Sequence, residues 1–216
     1  MGELNVGKGR CRGTARLPLT PVQAVIELGA AQDLLMKALN AVHHANRHAD
    51  PDEFIAVALP GMRMGRSCMM PGFGLELIGS ERALAAYLDL EGPASLRRRG
   101  MILPAEIEEV RPEPGAAGTA YVRDRASAKR TPGWVRRSRA RAERRGVEVG
   151  KPVRMTGHDL TALPLYYGRT VVHVRQVPGL ITGEPLLVNT YGFSSAGAPA
   201  VLPVSPAITD GLRDAA

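Results

Sequence analysis

Between Ala15 and Val110 the apolar positions change period from segment to segment, and each change marks an element. Ala15 to Leu19 (ARLPL) reads as a short strand, which Pro18, lacking an N–H, is expected to hold at a sheet edge or strand end. Thr20-Pro21 reads as a helix start, with Thr as N-cap and Pro in the first turn. That helical pattern runs to about His48, is interrupted near Gly29, and ends at Asp50-Pro51. Phe54 to Leu59 (FIAVAL) is an apolar run of β-formers closed by Pro60-Gly61, a buried strand. Phe73 to Gly79 (FGLELIG) alternates as a second strand, Ser80 caps a helix carrying ERALAAYLDL, and Met101 to Val110 is broken extended chain.

The order strand, helix, strand, strand, helix, strand is the split βαβ plan of a ferredoxin-like domain, an antiparallel sheet covered on one face by two helices. Residues 1–112 are assigned to it. Arg111 to Thr119 (RPEPGAAGT) is rich in Pro, Gly and Ala and reads as a linker to a second lobe, residues 120–216. There Thr131-Pro132 starts a helix that Gly146 stops, spanning about 132–145. LPLYY, TVVHVRQV and PLLVNTYGF follow as strands of a small antiparallel sheet, and SPAITDGLRDAA as a frayed tail. The fold class expected is therefore α+β.

Charge changes the picture of the second lobe. The chain carries a net +7, but Tyr121 to Arg154 alone holds twelve Lys/Arg against three Asp/Glu, leaving the remainder slightly acidic. A basic block beside a near-neutral body is the footprint of a polyanion partner. In the 132–145 helix Arg137, Arg141, Arg144 and Arg145 recur at helical spacing, and Arg136 and Arg139 widen the face. A helix so cationic and so poor in apolar surface packs weakly and is best held by a partner.

Several classes are disfavoured. Aromatics are 4% of the chain, few for a single-strand stacking platform. GVEVGKP (Gly146 to Pro152) lacks the phosphate-loop spacing, and no GxGxxG follows a strand. The acidic residues form no cluster suited to two magnesium ions. Cys11 and Cys68 stand far apart and read as free thiols in a reducing cytoplasm. No apolar run is long enough for a bilayer, so no membrane partner is expected.

Three of five histidines, His43, His44 and His48, sit in NAVHHANRH. With Leu35, Leu39 and Val42 as the core stripe, His43 falls about 40° round the helix from Leu39, at about 100° per residue. His44 and His48 point to solvent. The motif is open to three readings: a metal pair of His44 and His48 wanting a third ligand, a solvated helix end, or a catalytic base at His43. RNA supplies its own nucleophile in the 2′-hydroxyl, and a histidine suits the proton transfers that its cleavage needs.

Taken in order, several stretches resemble the CRISPR repeat-processing endoribonucleases of the type I-F branch and their plasmid-borne type IV relatives. NAVHHA resembles the helix end bearing the catalytic histidine, FIAVALP the strand after it, and GLELIGSERALAAYL the next strand and helix. RASAKRTPGWVRRSRARAERR resembles the arginine-rich helix and its approach, and NTYGFSS the Tyr-Gly segment near the active site. The likeness runs from Ala15 to Pro203.

The resemblance implies an RRM-like first domain, and a metal-independent endoribonuclease, without cofactor, that cuts repeat RNA at the 3′ base of its stem-loop. It leaves a 2′,3′-cyclic phosphate and a 5′-hydroxyl, keeps the crRNA, and joins the other subunits of a DNA-targeting complex. His43 matches the general base and Tyr191 the tyrosine that orients the reacting groups. Arg123, Arg125, Ser127, Lys129 and Arg130 match the RNA-contacting approach segment. Arg136, Arg137, Arg139, Arg141, Arg144 and Arg145 match the helix that enters the major groove of the hairpin. The chain departs from the pattern at LPLYYGRTVVHV, where Tyr166, Tyr167 and Thr170 stand in place of a Ser-Thr-Gly turn. In the type IV relatives the histidine is not a constant part of the site and arginines can carry the transition-state charge, so membership of that group would make His43 a spectator. Two other functions are carried: a non-catalytic crRNA-hairpin-binding subunit, and a basic protein whose arginine helix reads duplex DNA.

Overall fold

The computed structural model of the chain describes residues 5, 7–128, 132–147, 161–183 and 185–203. The first strands are β1 (Lys8–Cys11) and β2 (Ala15–Leu19). Pro18 does not keep β2 at an edge: β2 lies between two strands, but its second neighbour pairs only with Ala15 and Arg16. Pro18 thus sits where the ladder is one-sided and a missing N–H costs nothing.

Helix α1 (Gln23–Glu27) starts later than the Thr20-Pro21 pair predicts. Thr20 O accepts from Leu103 N at 2.8 Å, Val22 N donates to Met101 O at 3.1 Å, and Pro21 bridges Ile102. Extended pairing holds the residues that would have capped the helix. Gly29, at φ +71°, separates α1 from α2 (Ala31–His48), the interruption the pattern places there. In α2 the stripe Leu35, Leu39 and Val42 is buried, as its spacing requires.

After α2 come β3 (Ala56–Ala58), the exposed hairpin β4 (Arg63–Met64) and β5 (Met69–Met70), and β6 (Leu75–Gly79). The polar positions of β6 do not face solvent: Glu76 is 2% exposed, with Arg16 at 3.8 Å. Ser80 caps α3 (Glu81–Asp89) as expected, its Oγ accepting from Ala83 N at 3.0 Å. Helix α4 (Glu91–Arg98) and the short β7 (Glu108–Glu109) follow. The strand order β3-β6-β2-β7 is antiparallel throughout.

The Pro/Gly-rich segment enters β8 (Ala117–Arg123), then α5 (Arg125–Ala128) and α6 (Pro132–Arg144). Strands β9 (Leu163–Tyr167), β10 (Thr170–Leu180), β11 (Leu186–Asn189), β12 (Ser194–Ser195) and β13 (Val201–Pro203) complete the fold. Strands β12, β8, β10 and β9 form the second sheet, with β13 also on β8, and β12 runs parallel to β8. The architecture is α+β.

The two sheets share one buried cluster. Leu39, Val42 and Val57 belong to the same core as Leu165, Val172 and Phe193. Two bonds stitch the sheets together: Val57 N donates to Gly192 O at 2.9 Å, and Gln176 Nε2 to Leu59 O at 3.3 Å. Strand β1 crosses to pair antiparallel with β11, Lys8 opposite Asn189. The C-terminal end of α2 is thereby held between the sheets. Among the described residues no helix is long and apolar enough to cross a membrane.

Candidate functional site

The last turns of α2 are anchored by a buried amide. Asn46 is fully buried; its Nδ2 donates to Ile55 O at 2.9 Å and to Thr190 O at 3.4 Å, and its Oδ1 accepts from Ile55 N at 2.8 Å. One turn earlier, His43 Nδ1 lies 3.2 Å from the same Thr190 oxygen. A carbonyl only accepts, so this bond places the hydrogen on Nδ1 and leaves the Nε2 lone pair free. Burial lowers the His43 pKa, the Thr190 bond opposes it, and Arg47 and His44 add to the depression. The neutral, base-competent imidazole is the favoured form near neutrality.

Tyr191 comes from a turn built for it. Asn189 Oδ1 accepts from Tyr191 N at 2.8 Å and Phe193 N at 3.4 Å, and Gly192 N donates to Asn189 O at 2.8 Å. Gly192 has φ +83°, and a Cβ there would sit 2.5 Å from Val57 Cγ2, so both backbone shape and space demand glycine. The turn lays the Tyr191 ring on His43, centroids 4.2 Å apart and planes within 4°. Tyr167, buried, meets both rings edge-on, at 4.6 Å from Tyr191 and 6.0 Å from His43. Arg123 lies 5.5 Å from the Tyr191 centroid, within cation–π range.

His43, Tyr191 and Arg123 border a cleft of about 820 Å³. Lys8, Arg47, Arg123, Arg125 and Arg175 line it, against one acid among the described residues, Asp124. Asp124 is engaged inward: Ser127 Oγ donates to Oδ2 at 2.8 Å, Ala126 N to Oδ1 at 2.9 Å, and Arg175 Nε stands at 3.3 Å. Burial pushes its carboxyl up, but the Ser127 and Ala126 bonds and Arg175 together hold it below its ordinary value. The cleft has the charge suited to an anion, with cationic side chains predominating along its walls.

The structure therefore brings His43, Tyr191, Arg123 and Arg125 together. It does not bring Ser127 with them, since that side chain is buried with its hydroxyl bonded to Asp124. Arg136, Arg137, Arg139, Arg141, Arg144 and Arg145 stand exposed on or just past α6, and none lines the cleft. Lys129 and Arg130 lie outside the described residues. His44 and His48 are exposed as expected, their rings 4.5 Å apart, and no group of three potential metal ligands occurs among the described residues.

Sequence reasoning missed Lys8, Arg47 and Arg175. Arg47 had a signal, being four residues beyond His43 on one helix face. Arg175 is set by alternation along β10, where Val172 and Val174 are buried. Lys8 had none, because its place depends on β1 crossing to β11. No protein-family model matches the chain, and no curated protein sequence matches it.

Proposed function

We propose that this chain is an endoribonuclease that cuts CRISPR repeat RNA at the 3′ base of its stem-loop and keeps the product as the crRNA-holding subunit of a DNA-targeting complex. The observation that carries the reading is His43: an imidazole held neutral by burial, with Nδ1 bonded to Thr190, its ring backed by Tyr191, at the edge of a cation-lined cleft. In the reaction the 2′-hydroxyl of the substrate attacks the adjacent phosphorus and His43 Nε2 takes its proton. The cleft arginines Arg47, Arg123 and Arg175 stabilise the charge that builds on the phosphoryl oxygens.

Helix α6 supplies grip. Its described side chains are all at least part-exposed, and its arginines form a cationic rod. An A-form major groove is too narrow for such a rod except near the end of a short stem, so a stem-loop is the substrate that fits. The antiparallel order β3-β6-β2-β7 supports a ferredoxin-like first domain.

The test incubates the protein with the CRISPR repeat RNA of its host in EDTA. A single cut at the stem base, with the 5′ product retained on the protein, is expected. Tight, salt-sensitive binding without a cut favours the non-catalytic subunit, and preference for duplex DNA over the RNA hairpin favours a DNA-binding protein.

A further inference from the structure

Cleavage by a 2′-hydroxyl needs a second proton transfer, to the departing 5′-oxygen, and His43 as base does not provide it. Within the cleft the candidates among the described residues are Lys8 and the hydroxyls of Thr190, Tyr191, Ser194 and Ser195; Thr190 is buried, and Tyr191 is committed to the stack on His43. Arginines do not release their protons. Asp124 is an acceptor for Ser127, Ala126 and Arg175. Ser194 is buried, with its hydroxyl donated to Tyr121 O at 3.2 Å. Its neighbour Ser195, which lines the cleft as Ser194 does, lies on the other face of β12 and is only part-buried.

Lys8 Nζ donates to Ser195 Oγ at 3.1 Å, across almost the whole length of the chain, and both residues line the same cleft as His43. A serine oxygen that accepts from an ammonium has its own hydrogen free to donate elsewhere. The backbone under Lys8 is fixed: Lys8 is in register with Asn189, and Phe54 N donates to Arg10 O at 3.1 Å. Gly9 lies so close to the Phe54 ring that a Cβ would meet it at 2.5 Å, which seats β1 on the core.

We propose that Ser195 is the proton donor to the leaving 5′-oxygen and that Lys8 positions and recharges it; this rests on the nuclease reading above. As the 2′-oxygen–phosphorus bond forms, the 2′ proton passes to His43. The phosphorus–5′-oxygen bond breaks with its electron pair on oxygen, which takes the Ser195 hydroxyl proton. One Lys8 proton moves to Ser195 Oγ. The products are the 2′,3′-cyclic phosphate and the 5′-hydroxyl, with His43 protonated and Lys8 neutral until water exchanges a proton with each.

The test is single-turnover cleavage of the host repeat hairpin, compared with the same hairpin carrying sulfur in place of the bridging 5′-oxygen at the cut. A thiolate leaves without protonation. Ser195→Ala, Lys8→Met and Lys8→Arg are each expected to slow the oxygen substrate by about 100-fold and to cut the sulfur substrate within a few-fold of wild type. Lys8→Arg separates the roles, since arginine keeps the charge and the hydrogen bond but not the transferable proton. Equal losses on both substrates, or no loss on the oxygen one, overturn the pair while leaving the nuclease reading standing. Wild-type protein that cuts neither hairpin overturns both.

Discussion

The imidazole of His43 lies flat against the phenol ring of Tyr191, 4.2 Å centroid to centroid, although the two residues come from a helix end and a distant turn. The stack fixes the plane of the base while the Thr190 carbonyl fixes its rotation about that plane. Replacing His43 with Ala is expected to lower the single-turnover cleavage rate by about 100- to 10,000-fold and to leave hairpin affinity within a few-fold, measured by gel shift. Undiminished cutting by this variant sinks the histidine mechanism.

The depressed His43 pKa has a sign that two experiments read. The base works when neutral, so the cleavage rate rises with pH, with its midpoint below the ordinary histidine value of about 6.5. Stability follows the same direction. The unfolded chain binds this proton more readily than the folded one, so the contribution is complete above the unfolded pKa and is lost as pH falls through the folded pKa. Rate profiles and urea midpoints against pH check the two limbs.

Asn46 is the anchor beneath the site. Asn46→Ala leaves the buried Ile55 N and O without their side-chain partner. A loss of about 2 to 3 kcal/mol in urea unfolding is expected, together with a lower cleavage rate at saturating protein. An unchanged unfolding midpoint contradicts this account of the helix end.

Gly192→Ala tests the turn. Its φ of +83° and the closeness of Val57 predict a cost on the order of 1 to 3 kcal/mol, seen as a lower melting midpoint. Fluorescence quenching of Tyr191 by its neighbours should change with it.

Binding and chemistry should separate along the chain. Arg137→Ala and Arg141→Ala are each expected to weaken hairpin binding and to reduce the slope of log affinity against log salt by about 0.7 to 0.9. Cleavage of already bound RNA should be unaffected, because neither residue lines the cleft. A defect in rate at saturation with unchanged affinity would place these arginines in the reaction instead.

Local patterns carried much of this molecule. Periodicity in α2 located His43 at the rim of the packed face and His44 and His48 in solvent, because a helix converts spacing directly into direction. Ser80, Gly29 and Gly146 were legible for similar reasons, each shaping only its own neighbourhood. Legibility failed where distant segments compete or combine. The Thr20-Pro21 start lost to pairing with Met101–Leu103, and Glu76 is buried because β6 is covered on both faces. Lys8 reaches the cleft only through a strand pairing that no window of sequence contains.

The pairing of β1 with β11 also sets a clock. Lys8–Cys11 wait for a partner strand made far later, so a ribosome-bound chain that has not yet extruded Leu186–Asn189 has neither Lys8 in place nor the Tyr191 plate behind His43. Such late, sequence-distant closure leaves the cleft unbuilt in the nascent polypeptide until both halves of the pairing have emerged.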